Sequence, residues 1–280
     1  KNGARVILAE DKSKFGGSLL ADQVTIGNKT GKEWADETVE QLKSMSNVVI
    51  KNRSQVFGYY DHNMMVMFEK TKDHIESPNK YIPRQKLWYI RAKEVLVSTG
   101  SIERPLIFGN NDRPGILLAS AAKEYIKKYG VLVGKKPVIF TNNDSAYDTA
   151  IEFKKNGISP LVVDIRKNSE GTAVKEAKGL GVNIKFSHAV ANTKGYLRVN
   201  SAIVGKLNND KSGYENLENI PCDCICVSGN WTPTVHLASQ SGNKLKFDEI
   251  ISAFIPNQSR QNETTIGSAN GSFTLKKSLE

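Results

Sequence analysis

Glu10 closes a short apolar run, Gly3-Ala4-Arg5-Val6-Ile7-Leu8-Ala9. A carboxylate at the end of such a strand can accept hydrogen bonds from both hydroxyls of a ribose. The second strand of a dinucleotide-binding βαβ unit has this form: a small residue, an apolar run, then an acid. Asp11 follows directly, and Phe15-Gly16-Gly17-Ser18-Leu19 lies a little downstream. Its two glycines permit backbone to approach a ligand or another segment closely. Glu10, Asp11, Gly16, Gly17 and Ser18 therefore form a candidate cofactor-binding set. The alternative is an ordinary solvated acid at a strand terminus. The glycine-rich turn expected ~20 residues before the acid does not precede Glu10 in the sequence. On this reading the chain starts inside a domain.

Other segments carry related chemistry. Val95-Leu96-Val97-Ser98-Thr99-Gly100 runs into Ser101-Ile102-Glu103-Arg104-Pro105. It resembles the segment of two-dinucleotide-domain flavoprotein reductases in which a strand end lies against the nucleotide before the chain crosses to the other domain. Thr99 and Gly100 are candidates on that ground, with a generic strand and turn as the alternative. Thr141-Asn142-Asn143-Asp144-Ser145-Ala146 occupies the place of a phosphate-cradling turn but contains no glycine. Asp144 at a helix start would repel a pyrophosphate, so Asn143 or Asp144 is expected to cap the helix instead. Asp164, the acid ending the following strand, loses its ligand role by the same argument. Val227-Ser228-Gly229-Asn230-Trp231-Thr232-Pro233 resembles the return crossing. In Ile266-Gly267-Ser268-Ala269-Asn270-Gly271, Asn270 stands where such flavoproteins place an acid on the ribityl chain of FAD.

The three cysteines fall within Cys222-Asp223-Cys224-Ile225-Cys226. Strand alternation predicts all three on one face, as buried structural thiols. They lack the paired spacing of zinc, iron–sulfur or dithiol redox sites. The four histidines make no metal spacing, and no G-x-S-x-G elbow is present. No metal ligand and no catalytic residue is assigned.

These residues need a scaffold that brings strand ends together. Spacing predicts a helix over Trp34 to Met45 and a strand at Val48 to Ile50. An antiparallel meander is expected over Ser54 to Glu69 and Gln85 to Ala92, with a polar hairpin at Lys72 to Lys80. A second βαβ unit follows: strand Pro137 to Phe140, helix Ser145 to Asn156, strand Leu161 to Asp164. Val182 to Phe186, Gly195 to Val204 and Ile220 to Val227 are expected to complete its sheet. The predicted class is α/β, a two-dinucleotide-binding-domain fold of the disulfide-reductase type, with parallel sheets and an antiparallel meander, truncated at its N-terminus. The expected boundaries are 1–114 for the first domain (meander at about 48–95), 115–232 for a degenerate second domain, and 233–280 for the return to the first.

Composition narrows the partners. The chain has 280 residues, 39% hydrophobic and 24% charged, enough apolar matter for two cores. Its formal charge is +10, yet 30 of the 39 basic residues are lysines, scattered in runs no longer than two. Arginine, which makes bidentate forks to bases and phosphates, is scarce, so no nucleic-acid partner is expected. No apolar stretch reaches the roughly 18 residues of a membrane helix, so no membrane partner is expected. Cysteine usage points to the cytoplasm.

Longer strings carry a more specific likeness. Phe57-Gly58-Tyr59-Tyr60-Asp61-His62-Asn63, Pro83 through Lys93, Asn110-Asn111-Asp112-Arg113-Pro114-Gly115, Phe140 through Tyr147, Ser228 through Gly242 and the Gly267 segment resemble the central part of the α subunit of heterotetrameric sarcosine oxidases, nearly end to end. The resemblance implies NAD in the first domain, where glutathione reductase-like proteins hold FAD. It further implies FAD on a flavin-bearing β subunit and FMN near the subunit boundary. The family oxidises sarcosine, reduces oxygen to peroxide, and releases the methyl carbon as formaldehyde or transfers it to tetrahydrofolate on a C-terminal domain outside this sequence. Glu10 would take the ribose hydroxyls, Gly16 and Gly17 would allow close approach, and Thr99, Gly100 and Asn270 would line the site. Other readings are an NAD(P)H-dependent flavoprotein reductase, an opine or glycine dehydrogenase subunit, and a structural module with an empty site.

Overall fold

A computed structural model describes residues 3–22 and 24–279. The chain divides into two compact units, Lys1–Ser101 with Thr232–Glu280, and Ile102–Trp231. Sequence placed the crossings at 114/115 and 232/233. Residues 103 and 104 belong to the second unit through their bonds: Ser120 N donates to Glu103 Oε2 at 2.8 Å, and Arg104 N donates to Asn230 O at 2.8 Å. Gly229 makes that approach feasible, since a Cβ there would lie 2.9 Å from Pro105 O and 3.0 Å from Arg104 O.

In the first unit the strand Val6–Ala9 pairs in parallel with Val48–Lys51, joined through the helix Gly31–Lys43. That helix starts earlier than its apolar spacing predicts because Thr30 and Glu33 form a capping box. Glu33 N donates to Thr30 Oγ1 at 3.2 Å and Thr30 N to Glu33 Oε2 at 2.9 Å. A second parallel pair joins Val95–Val97 to Glu263–Thr265. Between these stretches of chain runs the expected meander: Ser54–Tyr60, Met64–Lys70 and Gln85–Arg91, all antiparallel. Its first turn is the three residues Asp61 to Asn63 between the paired Tyr60 and Met64, with His62 and Asn63 at positive φ. Asn63, buried, accepts the Tyr59 hydroxyl at 2.8 Å and donates to Lys93 O and Asn262 O. Tyr59, Val95 and Val97 form the local core. Burial and the nearby Glu263 carboxylate push the Tyr59 phenol up to about 12.

The second unit is built on a five-stranded parallel sheet in the order Ile116–Leu118, Cys224–Ser228, Pro137–Thr141, Leu161–Asp164, Asn183–Phe186. Both faces are covered, so its strands read as continuous apolar runs. Ile139, Val162, Cys224 and Cys226 face the helices Ala119–Tyr129, Ser145–Lys155 and Thr172–Gly179. Val138, Phe140, Val163, Ile225 and Val227 face a separate antiparallel sheet, His188–Gly195, Val199–Leu207 and Tyr214–Pro221.

The Gly195 to Val204 segment does not complete the parallel sheet. Residues 199–207 pair antiparallel with 188–195, and Val199, Ala202 and Val204 pack on the parallel sheet's other face. The three cysteines also do not share a face. Cys222 lies before the strand, its N–H bonded to Asn200 O, and it joins the core opposite to that of Cys224 and Cys226. Alternation begins only at Cys224, where the ladder begins. All three thiols are free and buried. Burial pushes the Cys222 thiol up to about 12, and the hydrogen bond with Cys224, reinforced by burial, raises that of Cys226.

Candidate functional site

In an open parallel sheet, ligands bind outside the carboxyl ends of the strands. In the first unit the candidate residues occupy those ends. Glu10 and Asp11 follow Val6–Ala9, Thr99 and Gly100 follow Val95–Val97, and Asn270 follows Glu263–Thr265. The parallel register makes the ends within each pair adjacent: Ala9 lies opposite Lys51, and Thr265 opposite Val97.

Around Glu10 the backbone is fixed on both sides. Glu10 N donates to Lys51 O at 2.8 Å, and Ser54 N donates to Glu10 O at 2.8 Å. One carboxylate oxygen, Oε1, accepts from Lys12 N at 3.0 Å. Partial burial, followed by a hydrogen bond with the Asp11 carboxyl, raises the Glu10 pKa above the usual carboxylate range. Asp11 itself is exposed. Gly16 has φ +121°, and a Cβ there would stand 2.9 Å from Leu20 Cδ2 and 3.1 Å from the Ala35 Cβ. Its glycine identity thus serves the turn against the helix Gly31–Lys43. Gly17 differs: φ is +53°, and a Cβ would meet nothing within 4 Å. Open space over Gly17 is what close approach by a ligand requires. Ser18 lies exposed in the 3₁₀ turn Gly17–Leu20.

The second group gathers around the ends of the other parallel pair. Ile266 N donates to Val97 O at 2.9 Å, continuing the ladder into the 3₁₀ turn Gly267–Asn270. Gly100, at φ +76°, would bring a Cβ within 3.9 Å of Ser268 Oγ and no closer to anything else. Thr99 and Gly100 are also latched to residue 234. Thr99 Oγ1 donates to Thr234 O at 2.7 Å, and Thr234 N donates to Gly100 O at 3.0 Å. The Thr99 hydroxyl hydrogen is therefore engaged, while the Asn270 amide is exposed. Sequence reasoning did not single out Ser268 or Thr234, although both lie inside segments it quoted. Their signal was adjacency to Asn270 and to Pro233.

The geometry can therefore offer a carboxylate to a diol, two open glycine-bearing turns to a phosphate-bearing backbone, and a neutral amide. Among the described residues no cluster of three or more His, Cys, Asp or Glu side chains could hold a metal ion. Among those same residues no helix is long and apolar enough to cross a membrane.

In the second unit, the glycine-free turn resolves which residue caps its helix. Asn143 Oδ1 accepts from Ser145 N at 3.0 Å, whereas the Asp144 side chain makes no cap bond. Asp144 turns away to Arg166, 2.7 Å distant, and accepts the Ser169 hydroxyl at 2.8 Å.

No protein-family profile matches the chain. Among solved structures it is similar to T. acidophilum thioredoxin reductase (TM-score 0.71, 15% identity, 98% of this chain and 85% of that one). It is also similar to L-proline dehydrogenase from P. horikoshii (TM-score 0.67, 20% identity, 94% of this chain and 46% of that one). These likenesses show the fold, a two-domain α/β arrangement of the FAD/NAD oxidoreductase type, as the sequence predicts. Among curated proteins, the sarcosine oxidase α subunit of Corynebacterium sp. (strain P-1) is 34% identical over 283 aligned positions, covering 100% of this chain and 29% of that subunit. The Rhizobium meliloti (strain 1021) α subunit is 35% identical over 253, covering 90% of this chain and 24% of that subunit. The chain thus spans under a third of the length of these relatives, and over that span it belongs to the sarcosine oxidase α-subunit family.

Proposed function

We propose that the first unit binds a dinucleotide, NAD, as the nucleotide-holding part of the α subunit of a multi-subunit flavoprotein amine oxidase. The observation that carries this reading is the position of the candidate residues. Three separate stretches of sequence, at Glu10, at Thr99-Gly100 and at Gly267 to Asn270, each follow the carboxyl end of a parallel strand of one unit. Glu10 would accept the ribose hydroxyls, Gly17 would let the pyrophosphate lie against backbone, and Asn270 would meet the ligand through a neutral amide. That amide, standing where flavin-binding relatives place a carboxylate, favours NAD over FAD.

The whole-protein reading rests on family membership. It is the oxidative demethylation of sarcosine to glycine with reduction of oxygen to peroxide, in the cytoplasm. FAD would be held by a β subunit and FMN at the subunit boundary. The methyl carbon would leave as formaldehyde or pass to tetrahydrofolate on another domain. In that scheme NAD, when bound, offers a nicotinamide capable of accepting hydride. This chain's own residues bind and orient it, and none is assigned to the amine chemistry. Val6, Ile7, Val49 and Leu96 are exposed on the two parallel pairs.

The test is release of the nucleotide. The complex is purified with wild-type chain and with Glu10→Gln, denatured in acid, and the released nucleotides are identified by mass. NAD from the wild type and a strongly reduced content from Glu10→Gln are expected. FAD from this chain, or equal NAD content in both proteins, would overturn the reading.

A further inference from the structure

We infer that the outer face of the antiparallel meander is a docking surface for a protein subunit that presents an apolar centre flanked by carboxylates. The inference rests on the multi-subunit part of the reading above and is independent of its nucleotide.

An antiparallel sheet packed on one side ordinarily alternates apolar residues inward with polar residues outward. The inward positions of the meander follow this rule: Tyr59 and Met65 pack with Val95 and Val97. The outward positions do not. Register places Tyr60 opposite Met64, Val66 opposite both Gly58 and Tyr89, and Phe68 opposite Leu87. Phe57, the extra residue of a bulge beside Gly58, is exposed as well. Tyr60, Leu87 and Tyr89 are each half-exposed or more. Apolar residues scattered singly over a surface need no explanation, but a contiguous group marks an interaction site.

The face is also ordered in advance of binding. Gly58 lets the Tyr60 ring lie against the sheet, since a Cβ there would fall 2.7 Å from the ring Cε2 and 2.9 Å from the hydroxyl. A ring already held in place loses little freedom when a partner covers it. Tyrosine and arginine are over-represented among the residues that carry the binding energy of protein interfaces. Arg91 lies along this face, its Nη2 3.9 Å from Met64 Sδ.

Charge selects the partner. Lys70 stands opposite Gln85 at one end of the face and Arg91 opposite Met64 at the other. Both are exposed, and neither makes an ion pair among the described residues. No acid occupies an outward position of the three strands. Glu69 turns to the other face, where it pairs with Lys51 and accepts the Trp88 indole at 2.7 Å. Asp73, the acid near Lys70, is bonded to Arg84, and Asp61 lies in the turn. A second copy docked about a two-fold axis would set this face on itself, with no carboxylate to receive either cation. Nucleic acid is held by a groove of cations that tracks its backbone. Two cations separated by the length of Met64–Lys70, about 20 Å at ~3.3 Å per residue, form no such track. What fits is a protein surface with carboxylates at that separation around an apolar centre.

The test uses the purified complex and its full-length chain. Hydroxyl-radical labelling of the complex, and of the chain separated from it, is read at Tyr60 and Tyr89 by mass. Association of the chain with the other subunits is titrated for wild type, Arg91→Glu, Arg91→Lys and Tyr89→Ser, with melting temperature and nucleotide content checked for each. Both tyrosines should be labelled several-fold less in the complex. Arg91→Glu and Tyr89→Ser should each weaken association by about tenfold or more, as expected of central interface residues, while Arg91→Lys keeps most of it. Reversing the charge of the partner carboxylate that cross-links nearest Arg91 should restore binding to Arg91→Glu. Equal labelling in both samples, unchanged association in both variants, protection by a single-stranded oligonucleotide, or self-association of the separated chain through this face would overturn the inference. An intact, variant-sensitive complex without nucleotide would overturn the NAD reading alone. Bound NAD in a complex that the variants leave unchanged would overturn the docking surface alone.

Discussion

Substituting Gly171 by alanine tests the Asp144–Arg166 contact through a double-mutant cycle. Gly171 has φ −61° and ψ 154°, a conformation open to alanine, so backbone strain adds nothing. Two smaller backbone effects oppose each other. Alanine reduces the freedom of the unfolded chain, stabilising by about 0.4–1 kcal/mol, but is a poorer helix N-cap than glycine by a similar amount. What remains is the collision, a Cβ 1.9 Å from Asp144 Oδ2, which the short side chain escapes by rotating away. Rotation breaks an ion pair whose side chains are 28% and 42% exposed, worth at most about 1 kcal/mol. It also breaks the Ser169 hydrogen bond to a charged acceptor, worth about 1.5 kcal/mol. Gly171→Ala should therefore destabilise by about 2 kcal/mol in the wild-type background. In Asp144→Ala, where the carboxylate is gone, it should fall within about 0.5 kcal/mol of neutral. The assay is urea unfolding of the full chain, followed by circular dichroism and tryptophan emission, on all four members of the cycle. An equal penalty in both backgrounds, or none in either, would refute the packing of Asp144 on Gly171.

Glu10→Gln should weaken dinucleotide binding by about tenfold or more, from the loss of charge-assisted hydrogen bonds at about 1.5–3 kcal/mol, read by equilibrium binding. Because burial raises the Glu10 pKa, its carboxylate takes up a proton at a higher pH than a free one. Affinity should then fall with decreasing pH before the ordinary carboxylate range is reached, and Glu10→Gln should flatten that dependence. Thr30→Ala should cost about 1 kcal/mol of stability through the lost cap. The bonds from Thr30 hold the Glu33 pKa below its ordinary value, so their stabilisation is present above the unfolded pKa and lost as pH falls through the folded one. The wild-type advantage in melting temperature should shrink in acid. Cys222, Cys224 and Cys226, buried and with raised or engaged thiols, should resist a thiol reagent in the native protein and react on denaturation.

The sequence made the strand ends legible, because an apolar run closed by an acid or by Thr-Gly is a local pattern. Glu10, Thr99 and Gly100 were placed by it, and so was the aromatic meander. Allegiance to a sheet was not local: Val199–Leu207 is apolar enough for either sheet of the second unit, and only its pairing with His188–Gly195 decides. The cysteine alternation misled because it was counted from Cys222, ahead of the strand. The helix Ala119–Tyr129 escaped notice since its buried face carries two alanines and a single large apolar residue, Ile126, although Gly130 in the left-handed conformation marks its end. The lack of glycine at the Thr141 to Ala146 turn, and the expectation of a helix cap there, could be read from composition. The Asp144–Arg166 ion pair could not, because the two residues meet across many residues of intervening chain.

The central claim is that a dinucleotide lies at the carboxyl ends of the first unit's parallel strands. An experimental density map of the purified complex tests it most directly. The account predicts an NAD whose ribose hydroxyls meet the Glu10 carboxylate and whose pyrophosphate passes over Gly17. Density for FAD there, or a dinucleotide bound instead between Asp144 and Asp164, would contradict it.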